Sequence, residues 1–231
     1  MERLLLGVEA FDFLDKEGIP ILKTVLAKDE NEAVMIASQI GFPVALKVSS
    51  PDIVHKTETG GIKVFLKDED DVRTAFTDIV HTFTSNHPGK RLEGVIVQKL
   101  GKGLELIVGT MTDQQFGPVI MFGLGGIFVE ALKDVSFRLI PLEARDAKEI
   151  MEDLQGYKIL KNPRGEKVDL AAVENFILQG SHLVEKHPEI REMDLNPIFA
   201  SPKRRRSLRC PDQNRVEFVG KCSTMRGRLL G

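Results

Sequence analysis

The chain has 231 residues, 42% of them hydrophobic and 29% charged, with a formal net charge of −2. These are values of an ordinary globular protein with enough chain for one large core or two small ones. No apolar run approaches the roughly 18 residues of a membrane span, and Cys210 and Cys222 form neither a disulfide framework nor a metal spacing, so a cytoplasmic location is expected.

The first residues, Met1 to Gly7, carry a short leucine run followed by acidic residues, which does not read as a signal peptide. Asp29 opens a helix, with Glu32 three residues on at capping-box spacing. Ala33, Ile36, Ala37 and Ile40 share one face and Gly41 ends it. Val44 to Val48 and Ile62 to Leu66 read as strands, the second with Ile62, Val64 and Leu66 alternating inward. A second amphipathic helix runs through Val72, Phe76, Ile79 and Phe83. Gly94 to Gln98, Leu104 to Thr110, Pro118 to Phe122 and Ser136 to Ile140 are strand-like. Glu143 to Leu154 is helical, and Asp169 caps a longer helix closed by His187 and Pro188. Ile190 to Ile198 is the last expected strand. The pattern is α/β or α+β in two lobes, parting near residues 94 to 100.

Charge is unevenly spread. From Lys203 onward there are nine Lys and Arg against two acidic residues, leaving 23 basic and 32 acidic in residues 1 to 202, a net of −9. The basic tail lacks sustained periodicity, and Val216 to Val219 is its single strand-like fragment. It is expected to be poorly ordered, leaving a sheet edge unpaired.

Three segments carry chemistry. Ser50 to Gly61 (SPDIVHKTETGG) puts His55 on a loop between two strands, beside the pair Gly60-Gly61. Histidine can act as a nucleophile near neutral pH, and glycine backbones let amides converge on an anion; a plain surface histidine in a turn is the bland alternative. Glu192-Met-Asp-Leu-Asn196-Pro alternates so that Glu192, Asp194 and Asn196 share one strand face. An Asp and an Asn so spaced can bracket magnesium on a nucleotide's phosphates, because magnesium takes hard oxygen ligands and keeps some water; a solvated strand face is equally open. Phe122-Gly-Leu-Gly-Gly-Ile-Phe-Val-Glu130 suits close approach to phosphate, but matches neither the P-loop nor the dinucleotide fingerprint. Lys47, in a strongly apolar strand, needs solvent or an anion for its ammonium. Glu105 and Arg138 sit in strands that could equally face solvent.

Gly18-Ile-Pro-Ile, Gly41-Phe-Pro-Val-Ala-Leu-Lys, Ser50 to Gly61, Gln115-Phe-Gly-Pro-Val-Ile-Met-Phe-Gly-Leu-Gly-Gly and Asp194-Leu-Asn-Pro arrive in one order. Together, from about Glu9 to Ala200, they resemble the ATP-grasp β subunit of ADP-forming acyl-CoA synthetases, acetyl-CoA synthetase in particular. The resemblance implies a two-lobed ATP-grasp fold with the nucleotide in a cleft between lobes. It divides the chain into a helical lead-in (1–17), a small lobe with the histidine loop (18–97), a large lobe (98–202) and the tail (203–231). It implies a reversible ligase reaction of acyl-CoA, ADP and phosphate giving acid, CoA and ATP. His55 is then the phosphohistidine, and Lys47 meets the nucleotide phosphates under a loop at Gly125 and Gly126. Gln98, Lys99 and Leu100 form the hinge whose backbone meets adenine, Glu105 and Arg138 are cleft positions, and Asp194 and Asn196 hold Mg2+. The implied partner is an α-type subunit with CoA-binding and ligase domains, giving a hetero-oligomer of no membrane association. One alternative is another ATP-grasp carboxylate ligase using an acyl phosphate, which has no use for His55. Another is a non-catalytic nucleotide-sensing or nucleic-acid-binding module, against which the acidic main body argues.

Overall fold

The computed structural model describes residues 3–5, 7–52, 61–126, 134–163, 168–200 and 216–227. The chain forms two compact units, one of residues 21–101 and one of residues 1–20 with 102–231.

The unit of residues 21–101 is a four-stranded antiparallel sheet with two helices on one face. Its strands are β2 (Thr24–Ala27), β3 (Val44–Ser49), β4 (Ile62–Leu66) and β5 (Gly94–Lys99), in the order β2-β5-β3-β4. α2 (Glu30–Ile40) and α3 (Glu69–Asn86) lay Ala33, Ile36, Ala37, Val72, Phe76, Ile79 and Phe83 against Val44, Leu46, Val48, Val95 and Val97. Both helices start on an aspartate. Asp29 accepts from the Glu32 amide at 2.9 Å and Asp68 from the Asp71 amide at 2.9 Å, each satisfying an orphan N–H of the first turn. Glu32 reaches back to the amide of Lys28 at 2.7 Å rather than to that of Asp29. Arg73 ties the helices together through Glu30 at 2.8 Å.

The expected inward alternation of Ile62, Val64 and Leu66 fails at Val64, which is exposed along with Phe65. Val44 pairs with Leu66 and Leu46 with Lys63, so Ala45 alone faces two residues of β4. This bulge, with Phe65 at φ +60°, resets the two-residue period.

In the other unit β1 (Arg3–Leu5) and α1 (Gly7–Lys16) come first. β6 (Leu104–Asp113), β7 (Gly117–Leu124) and β8 (Val135–Leu139) follow, then the helices α4 (Ala144–Glu152), α5 (Tyr157–Lys161) and α6 (Leu170–Lys186), then β9 (Ile190–Ala200) and β10 (Val216–Gly227). The strands form one sheet in the order β1-β10-β9-β6-β7-β8, antiparallel at every step. Helices segregated from antiparallel strands make this α+β. α6 buries Val173, Phe176, Ile177, Leu183 and Val184, and its Gly180 faces Ile120 and Val108. α1 is joined to α6, with Lys186 2.6 Å from Glu17 and the Phe13 ring edge-on to His187. Asp169 takes the cap place of α6 without the side-chain cap hydrogen bond its sequence position suggests. Among the described residues no helix is long and apolar enough to cross a membrane.

The tail departs from expectation. Val216–Gly227 is a strand paired with β9 on one side and β1 on the other, so β9 is no edge of this sheet. An antiparallel partner satisfies the N–H and C=O groups that β9 would otherwise present unpaired. The remaining tail residues, 203–215 and 228–231, lie outside the described ones.

Candidate functional site

In the four-stranded sheet the residues of β3 alternate between two duties. Val44, Leu46 and Val48 enter the helix-covered core, so Ala45 and Lys47 take the other face. Lys47 Nζ donates to Gln98 Oε1 at 2.7 Å. Gln98 is 1% exposed, and its Nε2 donates to Thr24 Oγ1 at 2.8 Å. Thr24 Oγ1 in turn donates to the Leu22 carbonyl at 2.7 Å. Three strands thus contribute one chain of hydrogen bonds that reaches the Lys47 ammonium. The sequence points to Lys47 and Gln98 but not to Thr24, whose role follows only once β2 and β3 are known to flank β5.

Lys99, next along β5, points the opposite way. Its ammonium meets the carbonyls of Ile40 at 3.4 Å, Gly41 and Phe42 at 3.5 Å, at the C-terminus of α2. A cation there satisfies orphan carbonyls and complements the helix dipole. Its amide is committed to the Lys23 carbonyl at 3.1 Å. The Lys99 side chain is therefore a helix cap, a duty that strand parity with Gln98 would have disclosed. Leu100 follows directly, half-buried at the end of β5.

His55 lies outside the described residues, but both stems of its segment are fixed. Val48 donates to the Gly61 carbonyl at 2.8 Å, and Asp52 Oδ2 accepts from the Arg91 amide at 2.8 Å. Ser49 accepts the Glu93 amide at 2.9 Å on its carbonyl and donates its hydroxyl to the Glu93 carboxylate at 3.1 Å. Lys47 pairs with Ile62, immediately beyond the second stem.

In the six-stranded sheet, directly paired residues share a face. Val108 pairs with Leu195 and with Phe122, on the side of α6. Gly109 pairs with Asp194, Met111 with Glu192 and Glu105 with Phe199, on the side away from the helices. Asp194 and Asn196 are half-buried there, flanking the buried Leu195. Leu106 pairs with Ile198 and Val108 with Leu195, so Asn196 and Pro197 together oppose Ile107. A proline cannot donate to the ladder, and a bulge accommodates it. The extra residue also switches the parity of β9, from Met193 and Leu195 buried to Ile198 and Ala200 buried.

Gly125 and Gly126 close on Glu105. Gly125 donates to the Glu105 carbonyl at 2.7 Å. A Cβ on Gly125 would lie 3.0 Å from Glu105 backbone and Cβ, and one on Gly126, at φ +60°, would lie 2.8 Å from Glu105 Oε2. The turn needs glycine at both places, for space at the first and for conformation at the second. It sets backbone amides beside a carboxylate on the face that carries Asp194.

Arg138 does not join this group. It pairs with Ile120, on the helix side, and its Nη2 lies 2.5 Å from Asp153 Oδ2 at the end of α4. Its Nη1 donates to the Phe137 carbonyl at 2.8 Å. Arg138 thus braces β8 against α4, on the face opposite the one that carries Asp194.

For magnesium the donor set fits. Asp194 and Asn196 offer two hard oxygens on one half-buried face, and this cation takes one or two protein oxygens and completes its shell with phosphate and water. Among the described residues there is no cluster of three or more His, Cys, Asp or Glu that could form an all-protein cage.

A family model described as an ATP-grasp domain matches residues 1–208. The chain is 44% identical over 200 residues to the acetate–CoA ligase [ADP-forming] I subunit beta of Pyrococcus furiosus, covering 86% of each chain. It is 46% identical over 196 residues to acetate–CoA ligase [ADP-forming] I of Archaeoglobus fulgidus, matching 84% of this chain but spanning only 28% of that protein. Among solved structures it resembles acetyl-coenzyme A synthetase 1 of Ca. Korarchaeum cryptofilum. With coenzyme A and Ca-AMPCP bound, that structure gives a TM-score of 0.84 at 42% identity, covering 94% of this chain and 91% of the other. A second structure, with Mg-AMPPCP and a phosphohistidine segment described as pointing towards the nucleotide binding site, gives 0.77 at 37%, covering 97% and 92%.

Proposed function

The chain belongs to the ATP-grasp family, and from that premise we propose that it is the nucleotide-handling part of an ADP-forming acyl-CoA synthetase. Such a ligase converts acyl-CoA, ADP and phosphate reversibly into the acid, CoA and ATP. The observation that carries the reading is the face holding Asp194, Asn196 and Glu105 under the Gly125-Gly126 turn, in a chain 44% identical to a named β subunit across 86% of its length.

Phosphoryl transfer asks a protein mainly for position and for positive charge on oxygens that gain negative charge. Lys47 supplies an ammonium to the phosphates, and the amide of Gly126, held in place by the Gly125 hydrogen bond to Glu105, supplies a dipole. Asp194 and Asn196 hold magnesium, which adds charge on the phosphate oxygens when bound. The Lys99 carbonyl and the Leu100 backbone border adenine. Phosphate displaces CoA from acyl-CoA on the partner side. A nitrogen of His55 then takes the phosphoryl group from the resulting acyl phosphate, releasing the acid, and yields it to the terminal oxygen of ADP, which restores the free imidazole. One long transfer thereby becomes two shorter ones.

The acyl-CoA chemistry belongs to an α-type partner with CoA-binding and ligase domains, consistent with the additional length of the A. fulgidus relative. The test is incubation with γ-labelled ATP and magnesium, alone and with an α-type subunit. Acid-labile label on His55, lost in His55→Ala together with acyl-CoA turnover while nucleotide affinity is kept, is the expected result. Undiminished turnover by His55→Ala would sink the relay, and acyl-CoA synthesis by the single chain would sink the division of labour.

A further inference from the structure

We infer that the buried side chain of Gln98 is a positioning residue, a neutral clamp that aims the Lys47 ammonium at the nucleotide phosphates without cancelling its charge. The inference rests on the assignment of Lys47 to those phosphates and adds a duty for the Gln98 side chain, distinct from any backbone contact to adenine.

The direction of the clamp is set from its far end. The Leu22 carbonyl can only accept, so Thr24 must spend its single O–H there at 2.7 Å. The Thr24 oxygen is then an acceptor, and the group of Gln98 that lies 2.8 Å from it must be the NH2. That fixes the amide so that Oε1, and not NH2, meets Lys47 Nζ at 2.7 Å. A flipped amide would set N–H against N–H at one end and leave oxygen facing oxygen at the other. Aligned hydrogen bonds of this kind polarise one another. Because Gln98 is 1% exposed, water cannot take over its acceptor role at little cost.

The chemistry favours an amide over a carboxylate here. A long lysine side chain loses rotamer freedom when it is held, and a neutral acceptor meets that cost in the unliganded protein. A glutamate would hold Lys47 too, but as an ion pair whose negative charge opposes the incoming phosphates. The clamp therefore trades no charge for orientation.

The experiment is a double-mutant cycle on the full chain, read by the dissociation constant for Mg-ATP, with circular dichroism and melting temperature recorded for every protein. Lys47→Met tests the underlying assignment. Gln98→Leu should weaken Mg-ATP binding about tenfold, the scale of a hydrogen bond to a charged group. It should add nothing once Lys47 is methionine. Thr24→Ser, which keeps the hydroxyl, should match the parent, and Thr24→Val should follow Gln98→Leu in part. Gln98→Glu should bind Mg-ATP more weakly than the parent despite retaining an acceptor. If Lys47→Met binds like the parent, the assignment of Lys47 falls. If Lys47→Met is weakened but Gln98→Leu is not, or the two losses simply add, the clamp falls and the assignment stands. Should Gln98→Leu fail to fold, Thr24→Val with Lys47→Met completes the same cycle, and additivity there overturns the clamp.

Discussion

On the six-stranded sheet the face under α6 carries Val108, Ile120, Phe122 and Leu195, all buried. The face away from the helices carries Glu105, Gly109, Asp194 and Asn196 together with Met111, Phe137 and Leu139, each of these last three more than half exposed. The same strands build both faces, with alternate residues. Side chains one position apart therefore have different duties, and membership of a motif does not say which duty a residue has. Arg138 sits one residue from Phe137 and Leu139 and braces a helix. Lys99 sits one residue from Gln98 and caps a helix.

If the division between faces is real, damage to one should leave the other's property intact. The largest effect is expected at Phe122, fully buried on the helix side. Phe122→Ala should cost about 3–5 kcal/mol of unfolding free energy through lost burial and the cavity left behind. The folded fraction should still bind Mg-nucleotide with parental affinity. Denaturant titration with and without nucleotide checks both, and a loss of intrinsic affinity comparable to the loss of stability would break the division.

Asp194→Ala tests the other face. It removes a half-buried carboxylate from beside Gly109. Magnesium-dependent nucleotide binding should weaken by about 1–3 kcal/mol, the scale of losing a charged contact, while the melting temperature changes little. Coincident titrations of variant and parent in the presence of magnesium would remove Asp194 from the metal site.

Arg138→Gln sharpens the comparison from the opposite direction. The Arg138–Asp153 pair is partly exposed, so its loss should cost no more than about 1 kcal/mol of stability. Nucleotide affinity should be unchanged. A drop in affinity would return Arg138 to the nucleotide and show that strand parity is a poor guide here.

The order of elements was legible because local signals were strong. Asp29 with Glu32, Gly41, and the alternating apolar runs each announce an element without tertiary help. The shared face of Asp194 and Asn196 was legible too, since alternation over three residues needs no partner strand. What stayed hidden depended on partners or on interrupted periods. Thr24 joins Lys47 only because β5 lies between β2 and β3, which no local pattern encodes. Val64 reads as inward until the bulge at β4 resets the count. β10 is harder still. Its pairing with β9 shifts register between Phe218 and Lys221, between Cys222 and Met225, and between Arg226 and Gly227. A strand interrupted so often shows no two-residue alternation, and it read as unstructured tail.

The smallest expected effect lies at the end of α6, among residues that serve the helix layer. Glu17 is 2.6 Å from Lys186 and 3.1 Å from His187 Nε2, and His187 Nδ1 is 3.0 Å from Glu189. The hydrogen bond from Lys186 holds the Glu17 carboxyl below its ordinary value of 4.5; burial opposes this, and the contact with His187 adds to it. A carboxyl depressed in the folded state contributes stability above its unfolded pKa and loses it as pH falls through the folded one. Acidification below about pH 4.5 should therefore loosen the junction of α1 with α6. Because Lys186 is largely exposed, the contribution at neutral pH is under about 1 kcal/mol. Glu17→Gln should lower neutral stability by that small amount and flatten the stability profile on the acid side. Denaturant unfolding of parent and variant between about pH 3 and pH 6 reads the difference. The two profiles should converge as Glu17 becomes protonated in the parent. Parallel profiles would mean that Glu17 is not held in this ion cluster in solution, and that the junction of α1 with α6 rests on other contacts, the Phe13–His187 packing among them.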